Sequence, residues 1–508
     1  MLNKKEDRLD DILSKCRSFL RGKLDYVENR NAVLMLVFLK FAQDKFIARQ
    51  HEIIMTEGVG ALDDIDLYHR ANVLYLEQCA TWNYIVQNSS SSEIAKLVDE
   101  ALSSTEKNNP VLEGVFLKGF FSSLDIEPEK LRAFIESVDL ISDVAGEDII
   151  GRVYEFFITH YAMDERKIRG EYFTPKSIVE LMVELIEPYE NIVYEPCFGT
   201  GGLFVQSSKF SKKVKSGALG LFGQEINKEM WRLTKLNLAL HGIQADLGQK
   251  CASVFLEDIH PTLKSDYILA NPPFNQRSWR DGVDFLNDKR FSGFDFSKSP
   301  NGNYAWLLHI LSKLNEGGVA GVILSNSPLN SEEEYLIRKS IVEGDKIEAI
   351  IVLPREMFYS TDISVSLWIL NNNKKQGQKG GKIYRDRTEQ VLFMDLRTWT
   401  QNRRDGNFVV LDEAQIEKIK EIFGSWRYES GVYSDIPELC ASASLEAIRA
   451  QNYNLVPSRY IDFEHKNTDL NFEKEMSEII EELREIKSEN EKCFSLLKNA
   501  VESFGYDL

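Results

Sequence analysis

Two prolines set back to back at the end of an apolar run leave a chain few options. Asp266-Tyr267-Ile268-Leu269-Ala270 has the length of a buried strand, and Asn271-Pro272-Pro273-Phe274 follows it directly. Pro272 and Pro273 fix φ and carry no N–H, so the strand ends there with its carbonyls held in place. What remains is an Asn carboxamide at the C-terminal end of a strand, backed by two stiff residues and followed by an aromatic. That constellation suits one demanding reaction. An exocyclic aromatic amine is a poor nucleophile because its lone pair is delocalised into the ring. If the Asn271 side-chain carbonyl and the Pro272 main-chain carbonyl accept its two N–H bonds, the nitrogen is drawn toward tetrahedral geometry. Its lone pair can then attack a sulfonium methyl while Phe274 stacks on the base. Taken alone, the four residues also fit a plain turn that ends a strand.

A ligand loop lies upstream. Asn191-Ile192-Val193-Tyr194 reads as a short strand, Glu195-Pro196-Cys197-Phe198-Gly199-Thr200-Gly201-Gly202 as the turn leaving it, and Leu203-Phe204-Val205 as the opening of a helix. Glycines at such a turn permit positive φ and let a ligand approach main-chain amides closely. Nucleotide folds of many kinds share this signal, but no Walker lysine follows, which argues against a P-loop. Leu221-Phe222-Gly223-Gln224-Glu225-Ile226 is a second apolar strand ending in a carboxylate. Glu225 lies 30 residues beyond Glu195, further than the ~20 of a dinucleotide fingerprint, yet suited to accept from ribose hydroxyls. In isolation Glu225 would be a surface acid.

Together these residues resemble motifs I, II and IV of S-adenosylmethionine-dependent DNA amino-methyltransferases. Gly170-Glu171-Tyr172-Phe173-Thr174-Pro175 is similar to the element preceding motif I in the adenine-N6 branch. The lead-in Asp148–Phe157 resembles one subgroup, the modification subunits of type I restriction-modification systems. So do His260-Pro261, Phe358–Ile363 and Asn454–Tyr460, so the resemblance covers nearly the whole chain. It implies S-adenosyl-L-methionine as cofactor, with Glu171, Tyr172, Phe173, Thr174 and Pro175 at its methionine end. Thr174 reads as a helix N-cap and Pro175 as the first helical residue, ahead of the periodic Ile178, Leu181, Met182 and Leu185. A helix N-terminus offers amides to a carboxylate. Glu195, standing where the family usually has Asp, would face the cofactor's ammonium. The loop Gly199, Thr200, Gly201 and Gly202 would approach the cofactor, and Glu225 its ribose. Cys251–Phe255 aligns with the third motif, but Ser253 occupies the place of its acidic residue. A hydroxyl still accepts one bond, though without charge assistance; Glu257 or Asp258 could substitute.

Composition frames the rest. The chain has 508 residues, 43% hydrophobic and 28% charged, enough for two or three domains. No apolar run approaches the ~20 residues of a membrane span, and no signal-peptide core follows Lys4–Arg8, so a cytoplasmic protein is expected. Six scattered cysteines lack C-x-x-C spacing and indicate neither zinc nor a disulfide framework. Cys197 follows a proline, as the nucleophile of cytosine-C5 methyltransferases does, but it lies in the ligand loop and reads as a small buried thiol. The net charge of −18, from 61 Lys and Arg against 79 Asp and Glu, sits badly with duplex DNA binding, which draws on cations to neutralise phosphates. Arg166–Arg169 could face DNA; Lys209–Lys215 and Lys374–Lys382 read as solvated loops. Such a chain must borrow its grip on double-stranded DNA, which favours a subunit over a free-standing enzyme.

Residues 1–145 alternate helical patterns with polar loops and read as a helical accessory domain. Residues 146–440 alternate strands and helices, predicting a doubly wound α/β methyltransferase sheet with its site at strand C-termini. Ser364–Leu370 fits a late antiparallel strand, and Phe358 and Tyr359 are candidates to hold a flipped base. In the remaining segment, 441–508, Phe472, Met476, Ile479, Leu483, Ile486, Asn490, Cys493 and Leu497 recur at alternating spacings of four and three. Asn490 falls at an a-type position, where Asn fixes register and oligomer state. The family implies the partner: a specificity subunit met through these C-terminal helices, with a restriction/translocase subunit in the full complex. A stand-alone adenine or amide methyltransferase, or a weakly catalytic cofactor-binding scaffold, remain as other readings.

Overall fold

The computed structural model describes residues 11–16, 24–141, 153, 156, 174–215, 217–280, 285, 288–294, 296, 299, 301–358, 362–404, 408–463 and 472–503. Glu171, Tyr172, Phe173, Arg166–Arg169 and Tyr359 lie outside them. Two compact units emerge, Met1–Ile461 and Asp462–Leu508.

Eight strands form the central sheet: β1 (Asn191–Glu195), β2 (Leu219–Gly223), β3 (Ser265–Ala270), β4 (Leu314–Ser325), β5 (Ile347–Val352), β6 (Val365–Asn371), β9 (Gln390–Asp395) and β12 (Cys440–Ser444). Their spatial order is β12-β9-β5-β6-β4-β3-β1-β2. β1 runs parallel to both β2 and β3. β6 is antiparallel to β4 and β5, as its position after the Phe358–Ile363 loop predicts. The chain leaves β1 for β2 on one side and returns to β3 on the other, so the strand order switches direction at the β1/β3 seam. Ligands of open α/β sheets bind at such seams.

The strands read as apolar runs because both faces are covered. Val193, Tyr267, Leu269, Ile323 and Ile351 belong to one core and their neighbours Tyr194, Ile268, Ala270, Leu324 and Ile350 to the other, the alternation a pleated strand requires. Among the described helices, α4 (Lys176–Ile186) buries Ile178, Leu181, Met182 and Leu185; α5 (Gly202–Lys213), α6 (Lys228–His241), α7 (Asn303–Lys313) and α8 (Glu413–Arg427) complete the layers. Ahead of them, α1 (Tyr26–Thr56), α2 (Ile94–Asn108) and α3 (Pro128–Asp139) share a separate core. That core takes in Met230, Leu233, Leu236 and Leu240 of α6, and the buried Arg30 pairs with Glu229 at the start of α6.

Three expectations change. β12 pairs with β9, so the sheet runs past the boundary at 440 and the compact unit closes at Ile461; one short small-residue strand carries too little periodicity to be seen in sequence. Helix α4 starts at Lys176, with Pro175 in the N-cap position and no side-chain cap, so Thr174 does not cap it. The Lys374–Lys382 stretch, read as a solvated polar hairpin loop, does form a hairpin, β7 (Gly377–Lys379) with β8 (Lys382–Tyr384), but three of its lysines are held against the fold. Lys374 is buried against Asp345, Lys382 meets Glu187, and the Lys379 ammonium lies 3.9 Å from the Tyr267 ring centroid. Burial, then the charge of Arg427, lowers the Lys379 pKa to about 8. β10 (Arg403–Arg404) and β11 (Phe408–Val409) make a second small ladder.

In the tail unit, α9 (Phe472–Ser503) is one long helix. Met476, Ile479, Leu483, Ile486, Asn490, Cys493 and Leu497 of the heptad stripe are all exposed.

Candidate active site

The site assembles at the carboxyl ends of β1, β2 and β3. Glu195 is the last residue of β1 and is fully buried. Burial, reinforced by the neighbouring Glu225, pushes its carboxyl well above the usual range. The Phe204 amide pulls weakly the other way, and neither oxygen completes a hydrogen bond among the described residues. A carboxylate placed like this is short of a cation.

Glu225, just past β2, is held by main chain: its carboxylate accepts from Gly199 N at 3.0 Å, Ile226 N at 2.9 Å and Asn227 N at 3.0 Å. The bond to Gly199 ties motifs I and II together. Gly199 has φ +54° and Gly201 φ +77°; a Cβ on Gly199 would meet nothing within 4 Å, whereas one on Gly201 would lie 2.8 Å from Thr234 Cγ2. One glycine therefore leaves room for a ligand and the other for a supporting helix. That helix is α6: Thr234 Oγ1 donates to the Gly199 carbonyl at 2.6 Å and Asn237 Nδ2 to the Thr200 carbonyl at 2.9 Å. Sequence reading missed both residues; the signal was a pair of polar side chains three apart within an apolar helix. It also missed Ile226, 63% exposed beside Glu225, and the exposed Leu256, apolar side chains with a wall to offer a planar ring.

Ser253 stands where β2's following turn meets the next loop: Ala252 N donates to the Glu225 carbonyl at 3.1 Å. Its hydroxyl accepts from Phe255 N at 3.3 Å. The suggested substitutes are engaged elsewhere, Glu257 with Lys250 at 2.5 Å and Asp258 with the buried Lys313 at 2.5 Å. Cys197 has its thiol raised well above the ordinary value by burial, then by Glu225, which leaves it protonated and a poor nucleophile.

Asn271 follows β3, and Asn271, Pro272 and Phe274 are buried, with Pro273 half-buried. Asn271 Nδ2 donates to Thr174 Oγ1 at 2.8 Å, while Oδ1 is buried without a partner among the described residues. Phe274 meets Phe358 edge to face, centroids 5.3 Å apart and planes at 85°; Phe358 is itself buried. Asn271, Phe274 and Phe358 thus lie together, and Thr174 with them. No group of three or more potential metal ligands occurs among the described residues, and no described helix is long and apolar enough to cross a membrane.

Residues 145–469 match the family model for N-6 DNA methylases. The chain belongs to that family. A second model, the HsdM N-terminal domain, matches residues 9–138. The methylase is 33% identical over 437 residues to the type I restriction enzyme HindI methylase subunit of Haemophilus influenzae, spanning 82% of this chain and 94% of the relative. It is 29% identical to the MjaIX methylase subunit of Methanocaldococcus jannaschii, over 98% and 91% of the two chains. Its fold is that of the type I restriction-modification methyltransferase subunit from Streptococcus thermophilus, with a TM-score of 0.71, 23% identity, and 90% of this chain and 100% of the other covered. The chain is a DNA methyltransferase of the type I methylase-subunit kind.

Proposed function

We propose that this methylase transfers a methyl group from S-adenosylmethionine to N6 of an adenine flipped out of double-stranded DNA, the sequence being read by a separate specificity subunit and a restriction/translocase subunit joining the full complex. The observation that carries this reading is the Asn271 Oδ1: a buried acceptor without a partner among the described residues, at the β1/β3 seam. The residues fit the cofactor. Glu195 offers an uncompensated carboxylate to an ammonium, Gly199 and the Gly199–Gly202 turn offer open backbone, Glu225 offers lone pairs to a ribose, and Ile226 offers an apolar surface to adenine. The first turn of α4, entered through Pro175, offers amides to the methionine carboxylate, and Glu171, Tyr172 and Phe173 precede it in sequence. Ser253 can accept from the cofactor's adenine amine but adds no charge.

When bound, S-adenosylmethionine supplies an electrophilic sulfonium methyl. Asn271 Oδ1 and the Pro272 carbonyl accept from the target amine and localise its lone pair, Pro273 keeps that carbonyl fixed, and Phe274 with Phe358 forms an aromatic wall for the base. We assign residues 1–145 to DNA cover or partner contact, the sheet region to catalysis and the tail to assembly.

Asn271→Ala tests the reading. Cofactor binding should persist, because Asn271 meets the acceptor amine and not the cofactor, while methyl transfer falls by ~10²–10³, the typical loss for one preorganised polar contact. Turnover near wild type in the assembled complex would end the proposal.

A further inference from the structure

A carboxamide is nearly symmetric in shape and opposite in sense at its two ends. Only the oxygen can accept from a target amine; turned over, Asn271 would set its own NH2 against the amine. In the reactive orientation Oδ1 is taken by the substrate, so the NH2 needs an acceptor of its own, since a buried donor left unpaired is costly. The structure supplies one. Asn271 Nδ2 donates to Thr174 Oγ1 at 2.8 Å, and Oδ1 stays without a partner among the described residues. The two residues come from segments far apart in sequence, each stiffened by proline: Thr174 precedes Pro175 at the entry to α4, and Asn271 precedes Pro272 and Pro273. Because Thr174 caps nothing in α4, its hydroxyl is not engaged in holding that helix.

We propose that Thr174 is a positioning residue for methyl transfer, holding the Asn271 NH2 so that the carboxamide oxygen faces the acceptor amine. This rests on the role given to Asn271 above. Thr174→Val keeps the shape of the side chain and removes the acceptor, so the orphaned NH2 appears only when Asn271 is turned to react. The loss then falls on the transfer step and persists at saturating cofactor.

The test is single-turnover methylation of DNA from a host lacking the system, by the full chain assembled with its specificity subunit, alongside calorimetric cofactor binding. At saturating cofactor, Thr174→Val should slow transfer roughly 10- to 100-fold, as expected for a misoriented catalytic group. Thr174→Ser, which restores the oxygen, should recover most of that loss. Transfer at the wild-type rate in Thr174→Val at saturating cofactor, a loss that appears only in cofactor affinity, or a Ser variant as slow as Val would each overturn the proposal. Asn271→Ala run in parallel separates the two ideas. If it keeps its turnover, the reading of the site fails; if it loses turnover while Thr174→Val does not, only the positioning role fails.

Discussion

The Glu195 carboxyl ends β1 inside the protein, and burial followed by the Glu225 charge raises its pKa. A raised carboxyl is a charge the fold resists: its cost to stability is absent below the ordinary carboxyl range, grows as pH rises from there toward the raised folded value, and is constant above it. An ammonium beside it reverses the balance, so below that raised value cofactor binding should release a proton from Glu195 and tighten as pH rises toward it, then level off. Calorimetry in buffers of different ionisation enthalpy checks this; wild type should show proton release and Glu195→Gln should not. Equal release in both proteins would assign the proton to another group. Glu195, Glu225, Gly199 and Asn271 were legible in the sequence because each sits at a strand end with distinctive neighbours. Thr174 was visible as a helix-start residue and, through the resemblance, at the cofactor's methionine end, but not as a partner of Asn271. Its bond to Asn271 joins residues far apart in the chain, and no local pattern encodes such a pairing.

Among elements, strands β1 to β6 were readable because strands covered on both faces are near-continuous apolar runs. β12, with sequence Cys440-Ala441-Ser442-Ala443-Ser444, was not, since its small residues lack that signature and its place depends on pairing with β9. The lysines of 374–382 were misread for a related reason. A polar hairpin looks solvated until Asp345, Glu187 and Tyr267 are brought against it from three other segments. Helix α9 carries the opposite lesson: its heptad stripe was plain, and Ile479, Leu483 and Ile486 remain exposed. Deleting residues 468–508 should leave a folded chain that still binds S-adenosylmethionine, since the cofactor residues all precede the cut. It should no longer co-purify with the specificity subunit. A truncated chain that still assembles and methylates its site would show that the stripe has another role.

At the scale of the whole molecule, α6 links two regions. It holds the Gly199–Thr200 loop through Thr234 and Asn237, and it contributes Met230, Leu233 and Leu240 to the core of the N-terminal helices. The helical region is thus built onto the cofactor loop's own support. The charge of −18 sets the other limit, since a chain so acidic has little general attraction for DNA phosphates, a shortfall the proposed specificity subunit would make good. The central claim joins these points: adenine-N6 chemistry at Asn271, aimed by a second subunit. Expressing the chain with its specificity subunit in a host lacking the system, then mapping methylated bases in that host's DNA, tests it most directly. The account predicts N6-methyladenine at one recurring sequence, lost when either Asn271→Ala replaces the wild type or the specificity subunit is omitted. Methylation at that sequence by the chain alone, marks on a base other than adenine, or undiminished marks from Asn271→Ala would contradict it.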